Sequence, residues 1–227
     1  KHNIYLVGMG PGKDEMMTGE ALKALEAADV IIGYTVYIKL LGERFADKEM
    51  RTTPMRQEEE RCKLCFEEAK KGKQVAMVCS GDAGIYGMAS LLYEMGKEYP
   101  DTEIFVIPGI TAACSGAAVL GAPLNHDFCV ISLSDLLTPW EKIEKRLLAA
   151  AGGDFAIAIY NPSSHKRKDY LKKACDILLR VIEEERPCGY VENIGREGTK
   201  AVTCTLRELR DTQVNMFTTC LLYTSPS

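Results

Sequence analysis

Short apolar segments alternate with amphipathic helical segments through the first half of the sequence. Four of the apolar segments have the length and nearly continuous apolar character of buried strands: IYLVGMG (4–10), VIIG (30–33), QVAMVC (74–79) and EIFVIPG (103–109). The segments between them, such as MTGEALKALEAADV and EEERCKLCFEEAKKG, have the spacing and end signals of helices. This β-α-β alternation predicts a mainly parallel sheet with helices on its faces.

Three of the loops that follow these strands are rich in small residues, namely Gly8–Gly12, Ser80–Gly84 and Pro108–Ala112. Ligands of parallel sheets bind beyond the carboxyl ends of the strands, and glycine lets the backbone approach a ligand closely. We therefore expect the three loops to form one binding site. The alternative is that they are plain strand-to-helix turns, in which Ser80 or Asp82 caps the next helix.

The second half has a less regular pattern. Four further segments are predicted as strands: FCVISLSD (128–135), FAIAIYNP (155–162), CGYVENIG (188–195) and KAVTCTL (200–206). Helices are predicted over 140–152 and 166–185, and the small residues of 110–125 are expected to cross between the halves. We place a boundary near residue 120, between α/β domains of residues 1–120 and 121–227, with a cleft between them for a small ligand.

Composition excludes several classes of function. The net charge of −4 and the pI near 5.6 argue against general nucleic-acid binding. The apolar runs fall far short of the ~20 residues that a membrane-spanning helix requires. The nine cysteines are scattered, mostly in apolar segments, which favours reduced thiols in the cytoplasm. Cys62 and Cys65 form a lone CxxC without a second pair, so we interpret them as helix positions and expect no metal site.

Familiar catalytic motifs are also missing from the sequence. Pro11 breaks the spacing of a dinucleotide-binding G-x-G-x-x-G, and neither a P-loop nor a GxS-type nucleophile elbow occurs. The histidines are His2, His126 and His165, which are too separated to suggest a metal cluster. From the residues alone we predict a cleft lined by backbone and small side chains, without a nucleophile, metal or hydride site.

A series of motifs, found in the family's order over about residues 3–219, resembles the tetrapyrrole methylases. They are VGMGPG (7–12), IIGYTVY (31–37), VCSGDAGIYGM (78–88), PGITAA (108–113), ISLSDLLTPWEKIEKR (131–146), YNPSS (160–164) and VENIGREGTKA (191–201). The combination of GDAGIYGM with SLSDLLTPW resembles the branch that methylates carbon 17 of precorrin-3B, or of its cobalt-containing counterpart, in cobalamin synthesis.

The resemblance implies two α/β domains, a mainly parallel N-terminal sheet, a mixed C-terminal sheet and a cofactor trough between them. It also implies a cytoplasmic homodimer that transfers a methyl group from S-adenosylmethionine to a tetrapyrrole while the ring contracts. The methyl group of a sulfonium is already activated, so the enzyme mainly has to hold the reacting atoms in line. This agrees with the absence of a protein nucleophile.

The resemblance also assigns site residues. The cofactor contacts fall on Pro11, Ser80, Gly81, Asp82, Ile85, Thr111, Ala112, Asn161 and Cys204. The glycine-proline loop is expected to face the tetrapyrrole, which makes Gly10 and Gly12 substrate contacts. Of Arg51 and Arg56, Arg56 is the preferred cation, because the family's loop after the third strand borders the substrate trough. The basic run of residues 166–168 is a second candidate for substrate carboxylates, or else a solvated first helical turn.

The residue that acts as acid or base is not identified by the motifs. Methylases of uroporphyrinogen place an aspartate where this chain has Thr35, so that role does not transfer. Tyr34, Tyr37, His126 and Asp135 are the polar candidates, of which His126 and Tyr37 are preferred. Imidazole side chains titrate near neutrality, which suits this role. A structural role for His126 at the domain junction is the alternative.

The last residues depart from the family. After MFTT (216–219) the family continues with an apolar strand, whereas this chain reads CLLYTSPS. We expect residues 220–227 to be foreign sequence, with Leu221–Tyr223 as a substitute for the missing strand, and Lys1 to mark a fragment. Two other functions therefore stay open: methylation of another tetrapyrrole carbon, and cofactor binding without turnover.

Overall fold

The computed structural model describes residues 1–121 and 123–225 and divides into two compact units, Lys1–Thr111 and Ala112–Ser227. Each unit contains one five-stranded sheet with helices. The helix Ala112–Leu120 packs on the sheet of the second unit. The structural division therefore comes before this helix, whereas the boundary drawn from sequence comes after it.

The sheet of the first unit is wholly parallel, with the order β3-β2-β4-β1-β5. Its strands are β1 (His2–Gly8), β2 (Val30–Tyr34), β3 (Glu49–Thr53), β4 (Val75–Cys79) and β5 (Thr102–Ile107). Its helices are α1 (Gly19–Ala27), α2 (Thr35–Leu40), α3 (Glu58–Lys70) and α4 (Ala89–Gly96), with short 3-10 turns at Asp14–Met16 and Glu43–Phe45. The parallel sheet predicted from the alternation is confirmed.

Helices cover both faces of this sheet. Successive side chains of a strand point to opposite faces, so each strand contributes residues to the core on either side. Ile4 and Leu6 of β1 pack with α3 and α4, whereas Val7 packs with α1 and α2. The central strands are therefore buried on both sides and have the continuous apolar sequence from which they were predicted.

Strand β3 was not predicted. Its sequence EMRTT lies at the edge of the sheet, and only Thr53 is buried. An edge strand exposed to solvent needs no apolar run, so it leaves no hydrophobic signal in the sequence.

The sheet of the second unit is mixed, with the order β6-β7-β10-β8-β9. Its strands are β6 (Phe128–Ser132), β7 (Ala156–Tyr160), β8 (Pro187–Glu192), β9 (Lys200–Thr205) and β10 (Thr218–Leu222). Its helices are α5 (Ala112–Leu120), α6 (Trp140–Gly152), α7 (Tyr170–Leu178) and α8 (Leu206–Arg210). Strands β6 and β7 are parallel, whereas β10 runs antiparallel to β7 and β8, and β9 antiparallel to β8.

Strand β10 is the central strand of this sheet although the sequence after residue 219 was expected to be foreign. It pairs with β7 on one side and with β8 on the other, and all five of its residues are buried. Leu221 packs against α5 on one face, whereas Cys220 and Leu222 join the core beneath α6 and α7 on the other. The apolar CLL segment therefore forms part of a strand, as was expected of Leu221–Tyr223.

The cysteines are all free, and most are buried. Cys62 and Cys65 lie in the core between α3 and the sheet, and burial raises the pKa of the Cys62 thiol to about 12 and that of Cys65 well above its usual value. Both thiols therefore stay protonated at neutral pH and are poor nucleophiles and poor metal ligands. Within residues 1–121 and 123–225, no group of three or more potential metal ligands comes together.

The helices bear on membrane insertion. Within the described part of the chain, none of them combines the length and the apolarity that crossing a bilayer requires.

The buried carboxylate of Glu68 makes stability pH-dependent. Its oxygens lie 3.1 Å from Arg51 Nη1, 2.9 Å from Lys71 Nζ and 2.8 Å from Lys73 Nζ, and the hydrogen bonds from Lys73 and Lys71 lower the pKa of Glu68 from 4.5 to about 2. Because the folded state holds the carboxylate ionised, its contribution is complete above pH 4.5 and is lost as the pH falls toward 2. We expect Glu68→Gln to cost about 1–3 kcal/mol at pH 7.

Urea unfolding at a series of pH values measures this effect. The stability difference between wild type and Glu68→Gln should shrink between pH 4.5 and pH 2. A difference that stays constant over this range would show that the ion pairs are not its cause.

Candidate functional site

The loops after β1, β4 and β5 meet through their backbones at the carboxyl edge of the first sheet. Gly10 and Gly81 exchange two hydrogen bonds: Gly10 N donates to Gly81 O over 3.1 Å, and Gly81 N donates to Gly10 O over 2.9 Å. A Cβ added to Gly109 would lie 2.2 Å from Gly81 O and 2.7 Å from Gly8 C. We call Gly8, Gly10, Gly81 and Gly109 the glycine cluster. The loops after β1, β4 and β5, which were expected to share one site, are in contact at this cluster.

Backbone conformation is a second reason for glycine at two of these positions. Gly10 and Gly81 have φ angles of +67° and +65°, in the left-handed region that is costly for side chains with a Cβ. The glycine cluster therefore presents peptide groups at the sheet edge without side chains in front of them.

Asp82 links two of the loops. Its Oδ1 accepts a hydrogen bond from Gly109 N and its Oδ2 accepts one from Gly84 N, each over 2.9 Å. Helix α4 begins at Ala89 and its N-cap is Met88, so the alternative in which Ser80 or Asp82 caps this helix is wrong. Asp82 instead orders the loop after β4 against the loop after β5.

Substitutions of Asp82 should separate this ordering role from the negative charge. Asp82→Ala leaves Gly84 N and Gly109 N without their acceptor, so we expect affinity for S-adenosylmethionine, the cofactor that the family resemblance implies, to fall about tenfold or more. Asp82→Asn keeps one carbonyl acceptor and should fall between alanine and wild type. Isothermal titration calorimetry with S-adenosylmethionine measures this order; equal affinities for all three proteins would contradict it.

The other predicted residues of the first unit lie in the same loops. Pro11 and Ser80 directly adjoin the Gly10–Gly81 pair, and Thr111 is two residues beyond Gly109. Ile85 is 39% exposed, which is unusual for isoleucine and leaves its side chain accessible to a ligand. Gly12, with a φ of +134°, continues the loop after β1.

Two arginines after β3 differ in burial: Arg56 lies in the loop and Arg61 in α3. Arg56 is exposed and has a positive φ of +67°. Arg61, which was not predicted as a site residue, is buried: its Nε donates to Thr53 Oγ1 over 2.7 Å, and its guanidinium lies 5.9 Å from the Tyr34 ring centroid. The charged α3 sequence contains no sign of this, because a solvated arginine and a buried one look alike in sequence.

Tyr37 lies in α2, which begins directly after β2 at the same sheet edge. Its ring packs edge-on against Tyr34, with 5.1 Å between the centroids. Tyr37, one of the two preferred acid-base candidates, therefore lies at the carboxyl edge of the first sheet.

In the second unit, the carboxyl ends of β6 and β7 hold a polar group. Asn161 has a φ of +52°, and its Nδ2 donates to Ser132 Oγ over 2.8 Å. Ala113 N donates to the Tyr160 hydroxyl over 2.7 Å, which places the start of α5, and with it Ala112, at this same edge. Two predicted cofactor positions of the second unit, Ala112 and Asn161, are therefore close in structure.

The loop after β8, which lies within the motif VENIGREGTKA, emerges at the edge of the predicted site, although none of its residues was predicted as a contact. Strand β8 is parallel to β7 because both run antiparallel to β10, so this loop emerges at the same edge as Asn161. Asn193 has a φ of +52°, and its carbonyl accepts a hydrogen bond from Thr199 Oγ1 over 2.8 Å. The asparagine and glycines of the motif were the available signal.

Two predicted residues lie away from this edge. Cys204 is on the outer strand β9, where it pairs with Cys188 near the start of β8, so it is level with Ile157 rather than with Asn161. His126 is exposed and precedes β6, at the end of the strand opposite Ser132. The structure does not bring either side chain to the Ser132–Asn161 pair.

Comparisons with known proteins agree over almost the whole chain. The family model of the tetrapyrrole (corrin/porphyrin) methylases matches residues 3–210. A Salmonella typhimurium protein named "Probable cobalt-factor III C(17)-methyltransferase" is 46% identical over 214 residues, which are 94% of this chain and 89% of that protein. A Sinorhizobium protein named "Precorrin-3B C(17)-methyltransferase" is 37% identical over 98% of this chain and 89% of its own length.

A solved structure agrees with the fold of this chain. The crystal structure of the methyltransferase CobJ has a TM-score of 0.90 and 36% sequence identity, and the match covers 99% of this chain and 95% of that one. The prediction of two α/β domains with one parallel and one mixed sheet is confirmed.

Proposed function

Because the chain belongs to the tetrapyrrole (corrin/porphyrin) methylases, we propose that it transfers a methyl group from S-adenosylmethionine to carbon 17 of cobalt-factor III or precorrin-3B. In this proposal the transfer is coupled to ring contraction and serves cobalamin biosynthesis. The observation that carries it is the 46% identity, over 94% of the chain, to a relative named for this reaction.

A Cβ at Gly8 or Gly109 would lie within 3 Å of backbone atoms of the neighbouring loops, so glycine lets these loops pack against one another. This packing leaves peptide groups rather than bulky side chains at the sheet edge, which supports S-adenosylmethionine binding there. When bound, this cofactor supplies an activated methyl group on a sulfonium. We propose that eight residues hold it: Pro11, Ser80, Gly81, Asp82, Ile85, Thr111, Ala112 and Asn161. Cys204 is not carried forward, because it lies level with the amino-terminal half of β7.

The residues contribute by positioning rather than by covalent catalysis. Holding the ring carbon in line with the methyl group can supply several kcal/mol of the barrier reduction. Asp82 fixes the relative position of two cofactor loops through Gly84 N and Gly109 N. For proton transfer we favour Tyr37 over His126, because Tyr37 lies at a carboxyl sheet edge and His126 at an amino end.

Substrate recognition requires cations, because the tetrapyrrole carries acetate and propionate carboxylates. We propose that the exposed guanidinium of Arg56, in the loop after β3, pairs with one of them at the same carboxyl edge of the first sheet as the loop of Gly10 and Gly12. We further propose that the protein is a homodimer in the cytoplasm. The nine free thiols support a reducing compartment. Light scattering of the purified protein measures the oligomeric state directly.

The activity is tested by incubating the purified chain with S-adenosylmethionine and either cobalt-factor III or precorrin-3B, with uroporphyrinogen III as the control substrate. Formation of S-adenosylhomocysteine should require one of the first two and should not occur with the control. Turnover of uroporphyrinogen III alone would indicate methylation of another ring position. Cofactor binding without any turnover would indicate a binding protein.

A further inference from the structure

The loop between β6 and α6 projects two neighbouring leucines from the carboxyl edge of the second unit. Leu136 is 67% exposed and Leu137 is 99% exposed. We call residues 136–139 the leucine loop. A single exposed leucine is common on protein surfaces. Two in succession on one loop form a contiguous apolar patch, which is typical of a surface that binds a ligand.

This loop is held at both ends by Tyr170. On one side the Tyr170 hydroxyl donates to Asp135 Oδ2 over 2.5 Å, and on the other its ring lies 4.9 Å from the ring of Trp140. Arg167 Nε adds an ion pair to Asp135 Oδ1 over 3.2 Å. The hydrogen bond to Asp135 raises the pKa of Tyr170, so the phenol remains a donor at neutral pH. The leucines are therefore displayed by a loop with fixed ends.

Exposed cations lie beside this apolar loop. Lys166 and Lys168 are exposed, whereas Arg167 between them is directed toward Asp135. Both lysines follow β7, which is the parallel neighbour of β6, so they emerge at the same sheet edge as the leucine loop. A ligand with an apolar face and carboxylates at its rim would complement this arrangement.

We propose that the leucine loop covers an apolar face of the tetrapyrrole ring while Lys166 and Lys168 pair with carboxylates at the ring's edge. The choice of this ligand rests on the proposed function. The loop thereby becomes a determinant of tetrapyrrole affinity that is separate from the cofactor loops of the first unit.

Binding of cobalt-factor III, followed by its absorbance, tests the proposal on the full chain. The double variant Leu136→Ser/Leu137→Ser should weaken the tetrapyrrole Kd about tenfold or more, because two apolar side chains no longer lose water on binding. The matched control is Val181→Ser, which changes a residue 52% exposed between α7 and β8. The control should bind like wild type.

Three further measurements distinguish the outcomes. The S-adenosylmethionine Kd and the thermal midpoint should be the same for the double variant and wild type, because both leucines are exposed. An unchanged tetrapyrrole Kd would overturn the proposal while leaving the proposed function intact. A fall in molecular mass by light scattering would show that a second copy of the chain covers the loop instead. Failure of the wild type to bind the ring would contradict both proposals.

Tyr170→Phe tests whether Tyr170 is a positioning residue for the loop. This variant removes the hydrogen bond to Asp135 but keeps the ring that packs on Trp140. We expect the tetrapyrrole Kd to weaken severalfold with no change in the S-adenosylmethionine Kd. Equal weakening of both ligands would indicate a general structural role and would overturn the positioning role.

Discussion

Gly109→Ala should abolish measurable S-adenosylmethionine binding and lower the free energy of unfolding of the first unit by about 1–3 kcal/mol or more. The added Cβ would lie 2.2 Å from Gly81 O and 2.7 Å from Gly8 C and Gly8 O. These are backbone atoms of two other loops, so relief requires the glycine cluster to separate. Separation would also strain the hydrogen bond from Gly109 N to Asp82 Oδ1.

The matched control is Gly19→Ala at the start of α1, where an added Cβ would meet no atom within 4 Å. Calorimetry with S-adenosylmethionine and urea unfolding should show wild-type behaviour for this control. Wild-type affinity in Gly109→Ala would contradict the close contact of the three loops. Lost affinity in both variants would point to a general effect of substituting glycine.

Leu221→Ala should lower the free energy of unfolding of the second unit by about 2–5 kcal/mol. Leu221 is fully buried in the central strand β10 and packs with Ala113, Ala117 and Ala158. Removing three side-chain carbons from this fully buried position leaves a cavity that the close-packed side chains around it fill only in part. The result tests whether the CLL segment forms the middle strand of this sheet.

The control for this effect is Leu137→Ala, which removes the same atoms from a side chain that is 99% exposed. Urea unfolding, followed by circular dichroism, should show a stability within about 0.5 kcal/mol of wild type for the control. If Leu221→Ala were equally mild, the segment after residue 219 would not form the middle of the sheet.

Element positions were predictable where one physical signal dominated. Strands β1, β2 and β4 are buried on both faces, so their apolar runs identified them in the sequence. For strand β10, the apolar residues of Leu221–Tyr223 predicted a substitute strand, but not its start at Thr218 or its place in the sheet. The pairing that makes it central is long-range, and a short apolar segment does not specify its neighbours.

The candidate site was predictable only as far as backbone chemistry goes. The glycines of the three loops are explained by close contact and positive φ, both of which restrict the residue type itself. The bond from Asp82 to Gly109 and the burial of Arg61 depend on tertiary contacts that local sequence does not encode. The position of Cys204 depends on long-range pairing as well, because strand direction and register decide at which end of the sheet a residue lies.

Transfer of a 13C-labelled methyl group, located by NMR in the product, tests the central claim most directly. The purified chain would be incubated with S-adenosylmethionine labelled in its methyl group and with cobalt-factor III. We expect one labelled methyl group, attached to carbon 17 of a contracted ring. A label on any other ring carbon would contradict the proposed specificity, and the absence of label in the ring would contradict methyltransferase activity in this chain.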